Sequence, residues 1–304
     1  MTVYDLKTMQ ICEVKENTYV ALGTFDGCHM GHASVLQGAF YKAKELGVKS
    51  LAYTFVGTPL KEQGAIFTLD EKIKAIRKMQ LDYLAVEDFE NVRNKSGEEF
   101  VNDVLIDKLN AVGASCGFNY CFGKNAACTA LDLTAFFEKV GGSVEISRKI
   151  MYGDETVSST LIREKIQSGR IEEILAYARP YSIYAEVERG KGLGHKMGVA
   201  TINQRIPEGK IIPKSGVYIT ECEIGEDVYP CVTNVGIRPT TDGENSFLNV
   251  ETHIIGFSGN LYSSYLRVNF YKYIRDEKRF SSVEELTEQI EADKRSALDY
   301  FLYK

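Results

Sequence analysis

The hydrophobic rhythm of this chain changes near residue 180, and that change limits what it can fold into. Up to about residue 150, short apolar runs alternate with helical patterns. Residues 18–23 (TYVALG) read as a buried strand ending in glycine, and residues 33–46 put Val35, Leu36, Ala39, Phe40, Ala43 and Leu46 on one helical face. Residues 48–55, 83–86, 112–117 and 144–151 read as further strands. Between them, Thr68 with Glu71 and Ser96 with Glu99 have capping-box spacing. They open helices running to about Gln80 and over 100–109, and residues 131–140 give another. This alternation predicts a parallel sheet with helices on both faces. Ligands in such folds bind beyond the carboxyl ends of the strands.

After residue 180 the texture is different. Five of the six prolines (Pro180, Pro207, Pro213, Pro230 and Pro239) fall there, among short strand-like runs at 184–187, 216–224, 228–232, 248–254 and 266–270. Strands of that length and spacing predict an antiparallel barrel or sandwich. Ser282 and Glu285 have capping-box spacing ahead of a terminal helix striped by Val283, Leu286, Ile290, Ala297 and Phe301. A boundary at Arg179–Pro180 divides the 304 residues into 1–180 and 181–304, each long enough to bury its own core. The fold class is therefore α/β followed by all-β.

Composition narrows the function. The formal charge of −6 argues against broad electrostatic attraction to nucleic acid or an anionic membrane. No apolar run approaches the roughly 20 residues of a membrane span, and the first residues, MTVYDLKTMQ, lack a signal pattern. The seven cysteines (Cys12, Cys28, Cys116, Cys121, Cys128, Cys222 and Cys231) include no CxxC pair and read as reduced thiols of a cytoplasmic protein. Oligomeric state is left open.

Chemistry concentrates first where the opening strand ends. Two of only four histidines stand in His29-Met30-Gly31-His32. If a helix begins there, both imidazoles face one way at its N-terminus. Free N–H groups and the positive dipole end make such a terminus a phosphate site. Gly23, Gly27 and Gly31 let backbone approach a nucleotide. Imidazoles aimed at phosphate oxygens stabilise charge developing during phosphoryl attack. The plainer alternative is that both histidines only cap the helix.

A second constellation lies beyond residue 189. Residues 190–203 read GKGLGHKMGVATIN, and Gly190 and Gly194 suit a loop approaching a nucleotide. No GxxxxGK[ST] pattern occurs, which excludes a P-loop kinase. The Thr201 hydroxyl and Asn203 amide are hard oxygen ligands suited to Mg²⁺. Glu251, in VETH, is a carboxylate able to take a proton from a substrate hydroxyl. Singly, each also reads as structural: Glu251 alternates with Val250 and suits a solvent-facing strand position, and His195 suits an exposed loop.

The segment from Gly23 to His32, GTFDGCHMGH, resembles the GxFDGxHxGH signature of HxGH-type nucleotidyltransferases, and VSSTLIR at 157–163 resembles their ISSTxxR segment. The loop at 190–203, NVGIRPT at 234–240 and VETH at 250–253 resemble the riboflavin kinase pattern GRxLGFPTAN, NxGxRPT and VExH. With GFNYCFGKNAA and the closing IRDEKRFSSVEELTEQIEAD, nearly the whole chain resembles the bacterial bifunctional riboflavin kinase/FAD synthetase family.

The resemblance implies a Rossmann-like adenylyltransferase domain and a small kinase β-barrel with a terminal helix. Their substrates are riboflavin, FMN and ATP, with Mg²⁺ as cofactor. His29 and His32 are implied to stabilise adenylyl transfer, with Gly23, Phe25, Asp26 and Gly31 lining the nucleotide site. Asn119 is implied to touch nucleotide or flavin, and Ser158, Ser159, Thr160 and Arg163 to hold phosphates. In the kinase half, Thr201 and Asn203 are implied metal ligands, Glu251 the base, and Arg275 a flavin contact.

The sequence departs from the family at His195, Val199 and Ala200, where the family has arginine, phenylalanine and proline. It departs again at residues 56–58, where TFDPHP reads TFVGTP. Losing the proline frees backbone at a cost of about 1 kcal/mol in preorganisation. These departures keep two alternatives in view: an enzyme with one impaired activity, and a non-catalytic flavin- or nucleotide-binding regulator.

Overall fold

The computed structural model describes residues 1–5, 14–56, 64–188, 201–239 and 246–303. Cys12, Gly57, Thr58, Gly190, Gly194, His195, Val199 and Ala200 lie outside the described residues. The chain forms two units, Met1–Leu161 and Ile162–Lys304.

The first unit is built on six parallel strands. In chain order they are β1 (Thr2–Asp5), β2 (Thr18–Leu22), β3 (Lys49–Phe55), β4 (Tyr83–Glu87), β5 (Ala111–Gly117) and, after a short hairpin of β6 (Cys121–Phe122) and β7 (Cys128–Thr129), β8 (Ser143–Ser147). Their order across the sheet is β1-β4-β3-β2-β5-β8. The five residues of β2 are all buried, as expected of a parallel strand covered on both faces.

Helix α1 (Met30–Leu46) buries Val35, Leu36, Ala39 and Ala43, and ends on Gly47 in the left-handed region at φ 67°. Gly38 lets α1 lie close to the sheet, because a Cβ there would stand 2.9 Å from Ser115 Oγ. Helix α2 (Leu69–Arg77) carries the Thr68–Glu71 capping box expected of it.

Three expectations are corrected. The Ser96–Glu99 box forms, but the chain then widens into a π-helix, Phe100–Lys108. The wider turn keeps Phe100, Val101, Val104 and Leu105 together on the core side, which the sequence pattern read as ordinary α-helix. Residues 144–151 are two strands, because β9 (Met151–Tyr152) leaves the sheet to pair with β10 (Glu155–Thr156). At the C-terminal helix Ser282 caps Glu285, but the Glu285 carboxylate accepts from Ser281, one residue before the box position.

The second unit is a six-stranded antiparallel sheet of β11 (Tyr181–Glu186), β12 (Thr201–Arg205), β13 (Gly216–Ile224), β14 (Asp227–Pro239), β15 (Ser246–Ile254) and β16 (Tyr265–Arg275). Its order is β11-β16-β13-β14-β15-β12. The sheet curls until its edges meet: the Glu188 N–H donates to the Asn203 carbonyl at 2.8 Å. From β12, Gln204 Nε2 donates to the Ala185 and Leu266 carbonyls at 2.8 and 2.9 Å. Inside, the hydroxyls of Thr220, Thr233 and Thr252 form a chain at 2.7 and 2.9 Å among Tyr218, Val235, Val250 and Phe270. The helix Val283–Leu302 packs against β13 and β14. The six described cysteines are free, and no described helix is long and apolar enough to cross a membrane.

Candidate active site

The loop between β2 and α1 makes a tight descent, with Phe25, Gly27 and Cys28 all at positive φ (48°, 81° and 39°). Asp26, 1% exposed, holds it from below: its carboxylate accepts the Ile66 N–H at 3.1 Å and the Phe67 N–H at 2.9 Å. Phe25 is wholly buried, and a Cβ on Gly23 would stand 2.9 Å from its ring. Phe25 and Asp26, expected to line the nucleotide site, thus shape the loop from within.

His29 is the N-cap of α1. Its Nδ1 accepts the N–H groups of Gly31 at 3.1 Å and His32 at 3.3 Å. That contact caps the helix and also sets the tautomer of the ring. An Nδ1 that accepts leaves the ring proton on Nε2, so a neutral His29 offers one donor directed away from the helix. Burial pushes its pKa down to about 4. His32 stacks on His29, with ring centroids 3.8 Å apart, and meets the edge of Phe25. A Cβ on Gly31 would stand 3.0 Å from His29 Cε1, so glycine there makes room for the ring. The helix terminus differs from the expectation in one respect: the Gly31 and His32 N–H groups are taken by His29.

Ser159 Oγ donates to the Asp26 carbonyl at 2.8 Å, bringing Ser159 to the histidine loop. Ser158 Oγ accepts the Leu161 N–H at 3.2 Å and so caps the helix Ser159–Ser168. Thr160 on that helix is exposed, and Arg163, one turn beyond Ser159, is 4% exposed. Asn119 is exposed just past the C-terminal end of β5, next to β2 in the sheet. Val56 continues β3, its N–H on the Glu87 carbonyl at 2.9 Å.

The second unit gathers its polar groups on the outer face of the curled sheet. Asn203 on β12 stands opposite Glu251 on β15, which stands opposite Asn234 on β14. Thr201 stands opposite His253 in the next row of the same face. Asn203 Oδ1 accepts from Asn249 Nδ2 at 3.1 Å, keeping a second lone pair. Thr201 and Asn203 thus offer two hard oxygens beside a carboxylate. Among the described residues no group of three or more His, Cys, Asp or Glu side chains could hold a metal ion. The donor set fits a hard divalent cation whose other ligands are phosphate and water oxygens. Burial, then Lys294, pushes His253 down to about 4.

Arg275 is committed to the C-terminal helix: its Nη2 and Nε reach the Asp293 carboxylate at 2.7 and 3.2 Å. Three polar neighbours escaped the sequence reading. Asn234 and Glu277 stood in quoted motifs without a role, and Asn249 had no signal.

These two sites lie in regions with known counterparts. A family model described as FAD synthetase matches residues 11–161, and one described as riboflavin kinase matches residues 177–301. The chain is therefore of the class that joins an FAD synthetase region to a riboflavin kinase region. A bifunctional riboflavin kinase/FMN adenylyltransferase of Bacillus subtilis is 31% identical over 301 residues, covering 96% of this chain and 95% of that protein. One from Haemophilus influenzae is 29% identical, covering 95% and 96%. The crystal structure of a macrolide-efflux protein from Streptococcus pneumoniae superimposes with a TM-score of 0.86 at 27% identity, covering 98% of this chain and 99% of that one. The chain belongs to the bifunctional riboflavin kinase/FMN adenylyltransferase family.

Proposed function

We propose that each unit's polar cluster performs one of the family's two reactions, with residues 1–180 as a Rossmann-like HxGH adenylyltransferase and residues 181–304 as a kinase barrel. The chain phosphorylates riboflavin to FMN and adenylylates FMN to FAD, using ATP both times. The observation that carries this reading is that both family models match successive parts of one chain, each over its own candidate site.

In adenylyl transfer an FMN phosphate oxygen bonds to the α-phosphorus of ATP as the bond to the β-phosphate oxygen breaks and pyrophosphate leaves. His29 Nε2–H and the His32 ring face charge that grows on the α-phosphate oxygens, and no protein nucleophile is needed. Asp26, Phe25, Gly23 and Gly31 hold the loop that places them. Ser158, Ser159, Thr160 and Arg163 bind the departing phosphates, and Asn119 the nucleotide or flavin.

In the kinase half Glu251 takes the proton of the ribityl 5′-hydroxyl as its oxygen attacks the γ-phosphorus and ADP leaves. Thr201 and Asn203 would hold Mg²⁺, which neutralises charge on the triphosphate. Gly190 and Gly194 approach the nucleotide, and Arg275 borders the flavin. We place the reactions in the cytoplasm, with no nucleic acid or membrane involved. Chromatography of the flavins formed from riboflavin, ATP and Mg²⁺ tests the reading. FAD is expected. FMN alone would remove the first site, riboflavin left unchanged while supplied FMN becomes FAD would remove the second, and full activity in EDTA would overturn the metal.

A further inference from the structure

A triphosphate, and the pyrophosphate that leaves it, carry several negative charges, and the groups beside the histidines bring little to meet them. The Gly31 and His32 N–H groups are taken by His29. The Ser159 hydroxyl gives its proton to the Asp26 carbonyl. Arg163, the only cation of the 157–163 segment, is 4% exposed. Among the described residues the neighbouring strand ends do not make up the difference. β2 runs into a loop whose only formal charge is Asp26, and β4 ends in Glu87 and continues into Asp88. The first cation after β5 is Lys124, beyond β6.

The end of β8 is different. Its last residue, Ser147, is followed by Arg148 and Lys149, and the chain there is fixed on both sides near the start of α1. On one side Ser34 Oγ, two residues past His32 on that helix, donates to Ser147 Oγ at 3.3 Å. On the other, the Val157 N–H donates to the Ile150 carbonyl at 3.0 Å, at the base of the β9–β10 hairpin. The Val157 carbonyl oxygen in turn lies 4.0 Å from where a Cβ on Gly31 would stand. Arg148 and Lys149 are thus held between two points that border the helix carrying the imidazoles. Both side chains are exposed, and neither makes a hydrogen bond, ion pair or ring contact among the described residues. Adjacent cations that solvent reaches and no carboxylate engages attract a polyanion and can bond its oxygens with charge-assisted hydrogen bonds.

We propose that Arg148 and Lys149 bind the β- and γ-phosphates of ATP in the adenylyl site and hold the pyrophosphate as it leaves, so that the end of β8 supplies cations the histidine loop does not have. This rests on the reading of that loop as the adenylyl site.

The test uses the full chain carrying Arg148→Gln, Lys149→Gln or both, assayed for FAD formation from FMN. Each single variant should raise the KM for ATP roughly three- to tenfold, the double variant further. Added pyrophosphate should inhibit each variant correspondingly less. The KM for FMN, and FMN formation from riboflavin, should hold. Lys149→Arg keeps the charge and should stay near the natural values. Salt screens exposed charges, so raising it should bring the natural chain's KM for ATP toward that of the double variant. An unchanged KM for ATP with unchanged pyrophosphate inhibition in the double variant would overturn the proposal. So would an equal fall in both reactions, or a difference that salt leaves untouched, since either marks a structural role. A natural chain that forms no FAD from FMN overturns the adenylyl reading and the proposal with it. FAD formed by the natural chain, beside a double variant with an ordinary KM for ATP, removes the cation pair alone.

Discussion

His29 and His32 are stacked, with ring centroids 3.8 Å apart and planes 20° from parallel, while the His32 N–H donates to His29 Nδ1. The two imidazoles form one unit. One hydrogen bond sets the tautomer of the first, and the stack sets the position of the second. The capping role that looked like an alternative to chemistry is how His29 comes to present Nε2–H.

Removing the second ring should separate the activities. On the proposed mechanism His32→Ala takes away one group facing the α-phosphate, and it also removes the ring stacked on His29. FAD formation from FMN should fall roughly 10²-fold or more, while FMN formation from riboflavin stays near normal. Steady-state rates for the two half-reactions decide it, and an equal fall in both would defeat the two-site account.

His29 also makes a prediction about pH. In the unfolded chain it protonates near its ordinary value of 6.5, in the folded unit near 4. Between those values the unfolded state binds a proton that the folded state does not. Its contribution to stability is therefore complete above pH 6.5 and is lost as pH falls toward 4, an interval worth about 3 kcal/mol. His253 acts in the same direction in the other unit. Urea unfolding between pH 7.5 and 4.5 should show the loss, and His29→Asn, which still caps, should flatten it for the first unit. An NMR tautomer other than Nε2–H at pH 7 would contradict the hydrogen-bond pattern.

The local elements around this site were legible because spacing encodes them, whereas the roles of its residues came from the resemblance. The capping pair Thr68–Glu71, the stripe Val35–Leu36–Ala39–Ala43 and the HMGH spacing are local, and local order follows from period and chemistry. What was not legible depends on partners distant in sequence. Asp26 looked like a nucleotide ligand, because its bonds to Ile66 and Phe67 cross forty residues of chain. Glu277 carried no role in the sequence reading, because only strand pairing brings Asn234 and Gly236 beneath it. The sequence showed no strand at 201–205, because Thr201–Arg205 holds a single apolar residue, Ile202, and so carries no alternation to set it apart from the glycine-rich loop before it.

Asp26 should behave as a structural clamp. In Asp26→Asn one carboxylate oxygen becomes an NH₂ facing the N–H of Ile66 or Phe67, leaving a buried donor unmatched at about 1–3 kcal/mol. The first unit should melt several degrees lower. Below its transition it should still form FAD within roughly tenfold of the natural rate, because the variant removes no group facing the phosphates. Calorimetry and flavin chromatography measure the two. Unchanged melting with abolished ATP binding would return Asp26 to direct nucleotide contact.

The Arg275–Asp293 pair tests whether one guanidinium serves two purposes. Both side chains are largely buried, at 16% and 5% exposure, and Gln289 Nε2 donates to the same carboxylate at 2.9 Å. Asp293→Ala strands the arginine, and breaking such a pair from one side costs about 3–5 kcal/mol. The barrel unit should lose stability by about that amount, and amide exchange over 283–302 should quicken. Replacing both partners by apolar residues of similar volume, as in Arg275→Met with Asp293→Leu, should recover most of the stability. The flavin contact then shows itself separately. If Arg275 also borders riboflavin, the double variant stays stable but keeps a raised KM for riboflavin with an ordinary KM for ATP; a normal KM would leave Arg275 as the anchor of the terminal helix alone.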